Sequence, residues 1–446
     1  MNKIGFFILF FCYFGMISYS QNNFVVQNKQ KSDKIRFSLI NNLIIVPIEV
    51  NGAKLSFLLD TGVSKPMIFS FLNISDSLEV KNPETIFLRG FGSEEYVEAL
   101  KSDNNILKIG DAVKMQQDLY IIFNDELNFG PKLGVPVHGI IGFDIFKDLV
   151  VEINYSKKYL RLTETDAFKH KKCRKCEVFN LEFHNGKPYI KGRINNGERD
   201  IVVKLLIDTG SSDALWLFEN DSLGISPGDT FFQDFLGYGL SGSVYGKRSE
   251  IESFSLKHFE LNKVNVAYPD PESITIAKQN KDRNGSLAGN ILKRFNIILD
   301  YNNGIITLKK NANFNDKFSY NRSGIELVHE GVRVVKEIDN SISSNRNVLG
   351  INAVDDENTV ILDAHYKIAL KPSYTIAELR KDSPAERAGL MIGDVILTVN
   401  GKQTHNFSLQ DITHMFYDDI GKPIKLKVDR DGMVLNYEFE LEDVFK

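Results

Sequence analysis

The sequence predicts a mainly β protein made of two similar halves followed by a third, separate module. Three observations carry this expectation. A set of landmarks recurs in one order at offsets of 146 to 148 residues; short runs of Val, Ile, Leu and Phe are broken by hairpin signals such as Asn51-Gly52 and Asn302-Asn303-Gly304; and beyond Lys310 the punctuation changes to helix caps and glycine stops. A chain of 446 residues that is 43% hydrophobic and 25% charged has the composition of a folded protein with room for several domains, which excludes disorder as its main theme.

The repeat rests on four landmarks. Phe57-Leu58-Leu59-Asp60-Thr61-Gly62-Val63-Ser64 returns as Leu205-Leu206-Ile207-Asp208-Thr209-Gly210-Ser211-Ser212, and Gly90-Phe91-Gly92 as Gly237-Tyr238-Gly239. Gly139-Ile140-Ile141-Gly142 is matched to Ser286-Leu287-Ala288-Gly289, and the run ending in Tyr155 to the run ending in Tyr301. One Asp-Thr-Gly arises by chance in about one chain in ten of this length, but two behind apolar strands at the same place in a repeat form a pattern. Helices in the halves are expected to be few and short, at 145–149 and 291–295. The halves meet across 163–176, where Lys169-His170-Lys171-Lys172-Cys173-Arg174-Lys175 has little to bury and predicts a linker or exposed hairpin.

Charge and cysteine content narrow the partners. With 54 basic and 58 acidic residues no surplus field points to nucleic acid, and the eight histidines contain no His-Glu-x-x-His, so neither a metal nor another cofactor is expected. Met1 to Lys3, the apolar stretch Ile4 to Ile17 and the small residues of Ser18-Tyr19-Ser20 read as an export signal over 1–20, cleaved after Ser20. This predicts a periplasmic or secreted protein, held at a membrane only if the signal stays uncleaved. Cys12 leaves with that segment, and the remaining pair, Cys173 and Cys176, reads as a local disulfide or two plain thiols.

The paired Asp-Thr-Gly turns, each with a later apolar-apolar-Gly, resemble the aspartic proteases, and over roughly 40–310 the chain looks closest to their bacterial two-lobe, retropepsin-like members. The resemblance implies two pseudo-symmetric acid-protease β-barrel lobes, at 21–168 and 169–315, with Asp60 and Asp208 as a catalytic pair. Amide hydrolysis by water needs a base for the water and an acid for the product, and two carboxyls about 3 Å apart supply both because they share one proton. By the family pattern Thr61 and Thr209 hydrogen-bond across the lobes, while Gly62 and Gly210 let backbone N–H groups approach the carboxylates. Ser211 is expected to donate to Asp208 where Val63 offers Asp60 nothing, leaving the proton on Asp60 longer. The Gly-aromatic-Gly elements, Gly90-Phe91-Gly92 and Gly237-Tyr238-Gly239, fall where the family places hairpin flaps, although glycine hairpins around a buried ring have the same signature. Leu215-Trp216-Leu217 reads as core.

From 316 to 446 the signals differ. Ser383-Pro384-Ala385 opens a short helix, Gly389 stops it, Val395 to Val399 is a strand closed by Asn400-Gly401, a second helix runs from Ser408 to about Tyr417, and two strands follow. This run resembles bacterial PDZ domains, a β-barrel with short helices that binds extended peptide ends by strand addition. The candidate turn for a terminal carboxylate is Arg322-Ser323-Gly324-Ile325, and 329–370 is long for the pattern, which predicts an insertion or an extra hairpin.

The resulting expectation is an exported aspartic endopeptidase acting on peptide or unfolded protein, with a PDZ domain that binds peptide or protein segments, presenting or selecting unfolded ones or ones with a free C-terminus. The alternative from another class is a peptide-binding protein that keeps the fold, no longer cleaves, and uses the PDZ domain for assembly.

Overall fold

The computed structural model describes residues 22–69, 78–88, 96–123, 128–239, 242–275, 277–280, 282–338 and 366–445. It is mainly β, as the sequence predicts. Two compact units are present. The first comprises 1–128, 137–229 and 236–317; the second comprises 129–136, 230–235 and 318–446.

The first unit holds both halves of the repeat, and their strand pairings are equivalent. In the first half Leu43–Val50, Ala53–Leu59, Gly139–Ile141, Met67–Ile68, Ala112–Ile122 and Val97–Ile109 pair in that order, and Val97–Ile109 pairs back onto Leu43–Val50 to close a ring. In the second half Lys187–Asn195, Asp200–Asp208, Gly285–Ala288, Leu215–Leu217, Phe259–Pro269 and Gly242–Leu256 do the same. Closure leaves no free edge around either core. The inward residues of the two aspartate-bearing strands, including Phe57, Leu59, Leu205 and Ile207, are fully buried.

The halves share a six-stranded sheet in the order Cys176–Asn180, Ile305–Lys310, Phe295–Asp300, Leu149–Asn154, Tyr159–Glu164, Ser32–Arg36. Its two middle strands run antiparallel with Glu152 opposite Ile298, residues that are 146 apart and therefore repeat equivalents. The pseudo-two-fold axis passes through that pair. The segment between the halves is exposed and is stapled by a Cys173–Cys176 disulfide, while His170 reaches the buried Asp300 at 2.8 Å.

One detail of the repeat is corrected by the sheet register. Leu58 pairs with Ile140 and Leu206 pairs with Ser286, so Ser286 corresponds to Ile140, not to Gly139. Likewise Phe143 N–H donates to the Val63 carbonyl as Gly289 N–H donates to that of Ser211, which makes Ala288 the counterpart of Gly142. The short helices accordingly begin earlier than expected, at Phe143–Asp148 and Gly289–Leu292. Gly142 is needed for its own reason: a Cβ there would lie 1.8 Å from the Asp60 carbonyl oxygen.

In the second unit Ile325–Ile338, Tyr366–Leu379, Val395–Val399, Pro423–Arg430 and Met433–Glu440 form one sheet, with Lys402–Gln403 on Val395–Val399. The first two strands make the long hairpin expected for this region. Ser383 caps the helix Pro384–Arg387, Ser408 and Asp411 form a capping box on Leu409–Met415, and Ile376, Ile396, Ile412, Phe416 and Val428 lie in the core beneath. Arg430 grips the buried Asp394 through two hydrogen bonds of 2.6 and 2.7 Å, fixing the turn before Val395.

Candidate active site

Each Asp-Thr-Gly sits at the end of a strand sandwiched by the barrel, and both turns belong to the first compact unit. Asp60 N–H donates to the Ile141 carbonyl at 2.8 Å, so the companion strand Gly139–Ile141 sets the height of the first turn. In the second half Asp208 pairs with Ala288 in the same way. The turns then interlock. Thr61 Oγ1 donates to the Ile207 carbonyl at 2.6 Å and accepts from Thr209 N–H at 3.1 Å, while Thr209 Oγ1 donates to the Leu59 carbonyl at 2.8 Å and accepts from Thr61 N–H at 3.0 Å. Both threonines are buried, so these four bonds form away from water, where a missing partner costs the most.

This interlock points the two carboxyls at one place. A methyl carbon on Gly62 would lie 3.0 Å from Asp60 Oδ1 and 3.6 Å from Asp208 Oδ1. On Gly210 it would lie 2.3 Å from both Cγ and Oδ2 of Asp60, so the space a side chain needs is filled by the partner carboxyl. Glycine is required at 210 by close approach. The Gly62 N–H donates to Asp60 Oδ1 at 2.6 Å and the Gly210 N–H to Asp208 Oδ1 at 3.1 Å.

The surroundings push the pair toward holding a proton. Burial, then the like charge of Asp208, raises the Asp60 carboxyl from 3.8 to about 7 against the Gly62 N–H, Lys187 and the Gly210 N–H. Burial also raises Asp208, but Arg283, the Gly210 N–H, Lys187 and a hydrogen bond from Ser286 act the other way. Two carboxyls with one proton between them are the arrangement that can give and take a proton in a single step.

Lys187, Arg283 and Ser286 are site residues that the sequence reading missed. Their counterparts in the first half are Leu43, Val137 and Ile140, all buried and apolar, so at these positions the second half supplies charge and a hydroxyl where the first does not. The signal was the change from apolar to polar at equivalent positions, hidden by the one-residue slip in matching Gly139-Ile140-Ile141-Gly142. Burial, followed by repulsion from Arg283, lowers the Lys187 ammonium, with the two aspartates opposing. Among the described residues no hydrogen bond from Ser211 to Asp208 is seen: the Ser211 carbonyl accepts from Gly289 N–H at 2.8 Å, and the hydroxyl that acts to lower Asp208 is that of Ser286, opposite Leu206 on the paired strand.

Of the flap candidates, Gly90, Phe91 and Gly92 lie outside the described residues. Gly237, Tyr238 and Gly239 end the strand Phe232–Gly239, which pairs with Gly242–Leu256 in a hairpin. Tyr238 is half-buried. Trp216 also departs from expectation: Leu215 and Leu217 are core, but strand alternation turns the indole to the other face, half-buried against Leu236 and Val244 from the two arms of that hairpin. Its N–H donates to Asp213 at 2.6 Å, and Asp213 pairs with Arg248 on the hairpin at 2.8 Å. Because Trp216 is the chain's one tryptophan, a peptide that closes over the carboxyls should produce a saturable change in intrinsic fluorescence, lost in Trp216→Phe. Unchanged emission at saturating peptide would mean the hairpin does not respond.

The turn Arg322-Ser323-Gly324-Ile325 is not an open carboxylate site. Its N–H groups are already used: Arg322 on the Phe416 carbonyl at 2.9 Å, Ser323 and Gly324 on Asn321 Oδ1 at 3.0 and 3.2 Å, and Ile325 on Ser323 Oγ at 3.0 Å. A single asparagine side chain takes the place expected for a ligand. Within the same unit the helix Phe129–Leu133 packs on the strand Ile325–Ile338, and the Cβ position of Gly134 falls 2.7 Å from Leu409 Cβ at the head of Leu409–Met415. The edge strand and the helix, the two walls a PDZ ligand uses, are therefore both in contact with this chain's own residues.

Among the described residues no cluster of metal-binding side chains occurs, and no helix is long and apolar enough to cross a membrane. Residues 347–441 match the family model of the PDZ domain, a module that binds peptide or protein segments. No curated protein matches the chain.

Proposed function

We propose that this chain, which carries a PDZ domain at its C-terminal end, is an exported aspartic endopeptidase acting through Asp60 and Asp208. One observation carries the reading: two carboxyls from repeat-related turns, locked by reciprocal threonine bonds, converge on one buried point and are driven by burial and mutual repulsion to share a proton. A water molecule between them would lose a proton to the ionised carboxyl as its oxygen adds to the scissile carbonyl carbon. The protonated carboxyl would give its proton to the carbonyl oxygen, forming a gem-diol. Collapse would break the C–N bond, return a proton to the amine, and leave an acid and an amine with no covalent enzyme intermediate.

The backbone donors and the threonines hold the carboxyls still, so little reorganisation accompanies the proton movements. An extended peptide suits a site at strand ends, and the match to the PDZ family supports binding of peptide or protein segments in general. One observation favours a non-cleaving, peptide-binding protein: the cations Lys187 and Arg283 oppose the raised carboxyls and so work against the shared proton.

The test is incubation of residues 21–446 with an unfolded protein between pH 3 and 8, alongside a peptide bearing a hydroxylated tetrahedral centre in place of an amide. Cleavage that the analogue inhibits, with one oxygen from labelled water in each new carboxyl group, supports the endopeptidase. Binding of the analogue without cleavage supports the binding protein, and neither outcome leaves the site without this role.

A further inference from the structure

We propose that residues 129–136 are a built-in occupant of the PDZ groove, and that the groove opens to a protein segment of the same chemistry, a leucine followed by glycine, with no requirement for a free C-terminus. This occupancy has its basis in the PDZ match and in the second compact unit, not in the proteolytic reading.

Three observations support it. In sequence 129–136 joins Ala112–Ile122 to Gly139–Ile141 in the first half of the repeat, yet it belongs to the second unit, with the helix Phe129–Leu133 packed on Ile325–Ile338. That strand stands at the edge of its sheet, and Leu409–Met415 packs on it as well, so the segment touches both walls between which a PDZ ligand inserts. Next, Gly134 is fitted to this place twice over. Its φ of +67° is one that side chains rarely adopt, and a Cβ would lie 2.7 Å from the Cβ of Leu409, a residue held in the core at 4% exposure. Finally, the turn expected to take a terminal carboxylate is already filled, because Asn321 Oδ1 accepts from the N–H groups of Ser323 and Gly324 at 3.0 and 3.2 Å. A groove closed at that end suits a segment with no free terminus, and 129–136 is such a segment.

The seat is shallow, which makes it reversible. Within 129–136 Leu133 is the one buried residue, and Pro136 is exposed. Five residues that include Gly130 and Pro131 do not hold a helix in water by themselves, so this helix exists because it is seated and is lost on release. The tethered segment keeps the groove through its high local concentration more than through the extent of its contacts. The apparent affinity for an external segment is lowered by the fraction of time the groove is closed, and weakening the internal segment raises it.

The experiment uses residues 21–446 and a fluorescein-labelled peptide of residues 128–137 ending in an amide, followed by fluorescence anisotropy. Gly134→Val, which sets a branched side chain against Leu409, should bind the peptide at least about ten times more tightly than wild type, and Leu133→Asn, which removes the buried apolar group, should do so by a different route. The free-acid form should bind no more tightly than the amide, and a peptide carrying Leu133→Asn should not bind. Wild type supplies a measurement that needs no variant to fold: with excess peptide, amides within 129–135 should exchange hydrogen faster as the segment is displaced. Three results overturn the proposal: no gain in a variant that keeps the wild-type circular dichroism spectrum, wild-type exchange at 129–135 unmoved by excess peptide, or binding confined to the free acid. None of these measurements involves turnover. A protein that cleaves nothing but gains peptide binding in the variants loses the protease reading and keeps the occluded groove; one that cleaves and shows no gain loses the groove alone.

Discussion

Asn in place of either Asp60 or Asp208 is expected to lower cleavage of an unfolded substrate by at least about a thousandfold while raising stability at neutral pH. The rate loss follows from removing half of an acid–base pair whose members act in the same step, a contribution of roughly 10² to 10⁴ for one proton-transfer group. The gain in stability has the opposite origin. Asp60 ionises near 3.8 in the unfolded chain and near 7 in the folded protein, so between those values the unfolded state has released a proton that the folded state retains. Wild-type stability therefore falls as pH rises from about 4 to about 7 and then levels off. Asp60→Asn carries no such loss. Urea melts of variant and wild type should converge below pH 4 and separate by a few kcal/mol above pH 7, with the variant the more stable. Equal turnover in wild type and variants would remove the pair from the mechanism, and equal stability across the pH range would show that the pair is not electrostatically strained.

Thr209→Val is expected to cost about 2–5 kcal/mol and most of the activity, although the side chain keeps its shape. Valine leaves the Thr61 N–H and the Leu59 carbonyl without their partners, and each buried orphan costs about 1–3 kcal/mol. The loss should be larger than for a surface hydroxyl and should not add to that of Thr61→Val: each substitution removes two different bonds of the four, but all four belong to one interlock, so losing either pair loosens the turns that the other pair holds. Thr209→Ser, which keeps the hydroxyl, should recover most of the stability and the rate. Denaturant melts of the single and double variants, read beside kcat, check this; additive losses, or a serine variant as poor as valine, would mean that the interlock does not hold the turns.

Much of the architecture was legible because it is written in local chemistry. Period-two apolar runs broken by Asn-Gly read as hairpins, Ser383-Pro384 and Ser408 read as helix starts, and both are seen. The long region before Tyr374 read as an insertion or hairpin, and two 14-residue strands form there. What failed was register and occupancy. Matching Gly142 to Gly289 looked natural in one dimension, yet hydrogen bonding makes Phe143 the equivalent of Gly289, and the slip concealed Ser286. The turn at 322–325 has the small residues of a ligand loop, but whether its N–H groups are free depends on where the Asn321 side chain goes, and it folds onto them.

By itself the sequence determined a mainly β chain with a doubled Asp-Thr-Gly unit and a PDZ module, since repeated motifs and strand punctuation are properties of neighbours along the chain. The tertiary structure alone decided which other groups meet the two carboxyls. Ser286 is brought to the Asp208 strand, opposite Leu206, because their strands pair in parallel, and Lys187 joins through the neighbouring strand of the same barrel. Such meetings are set by cross-strand register, which a one-residue shift reverses face by face, so no local pattern can announce them. Symmetry of the backbone was readable in advance; that Lys187, Arg283 and Ser286, and not Ser211, are the groups acting on the two aspartates was not.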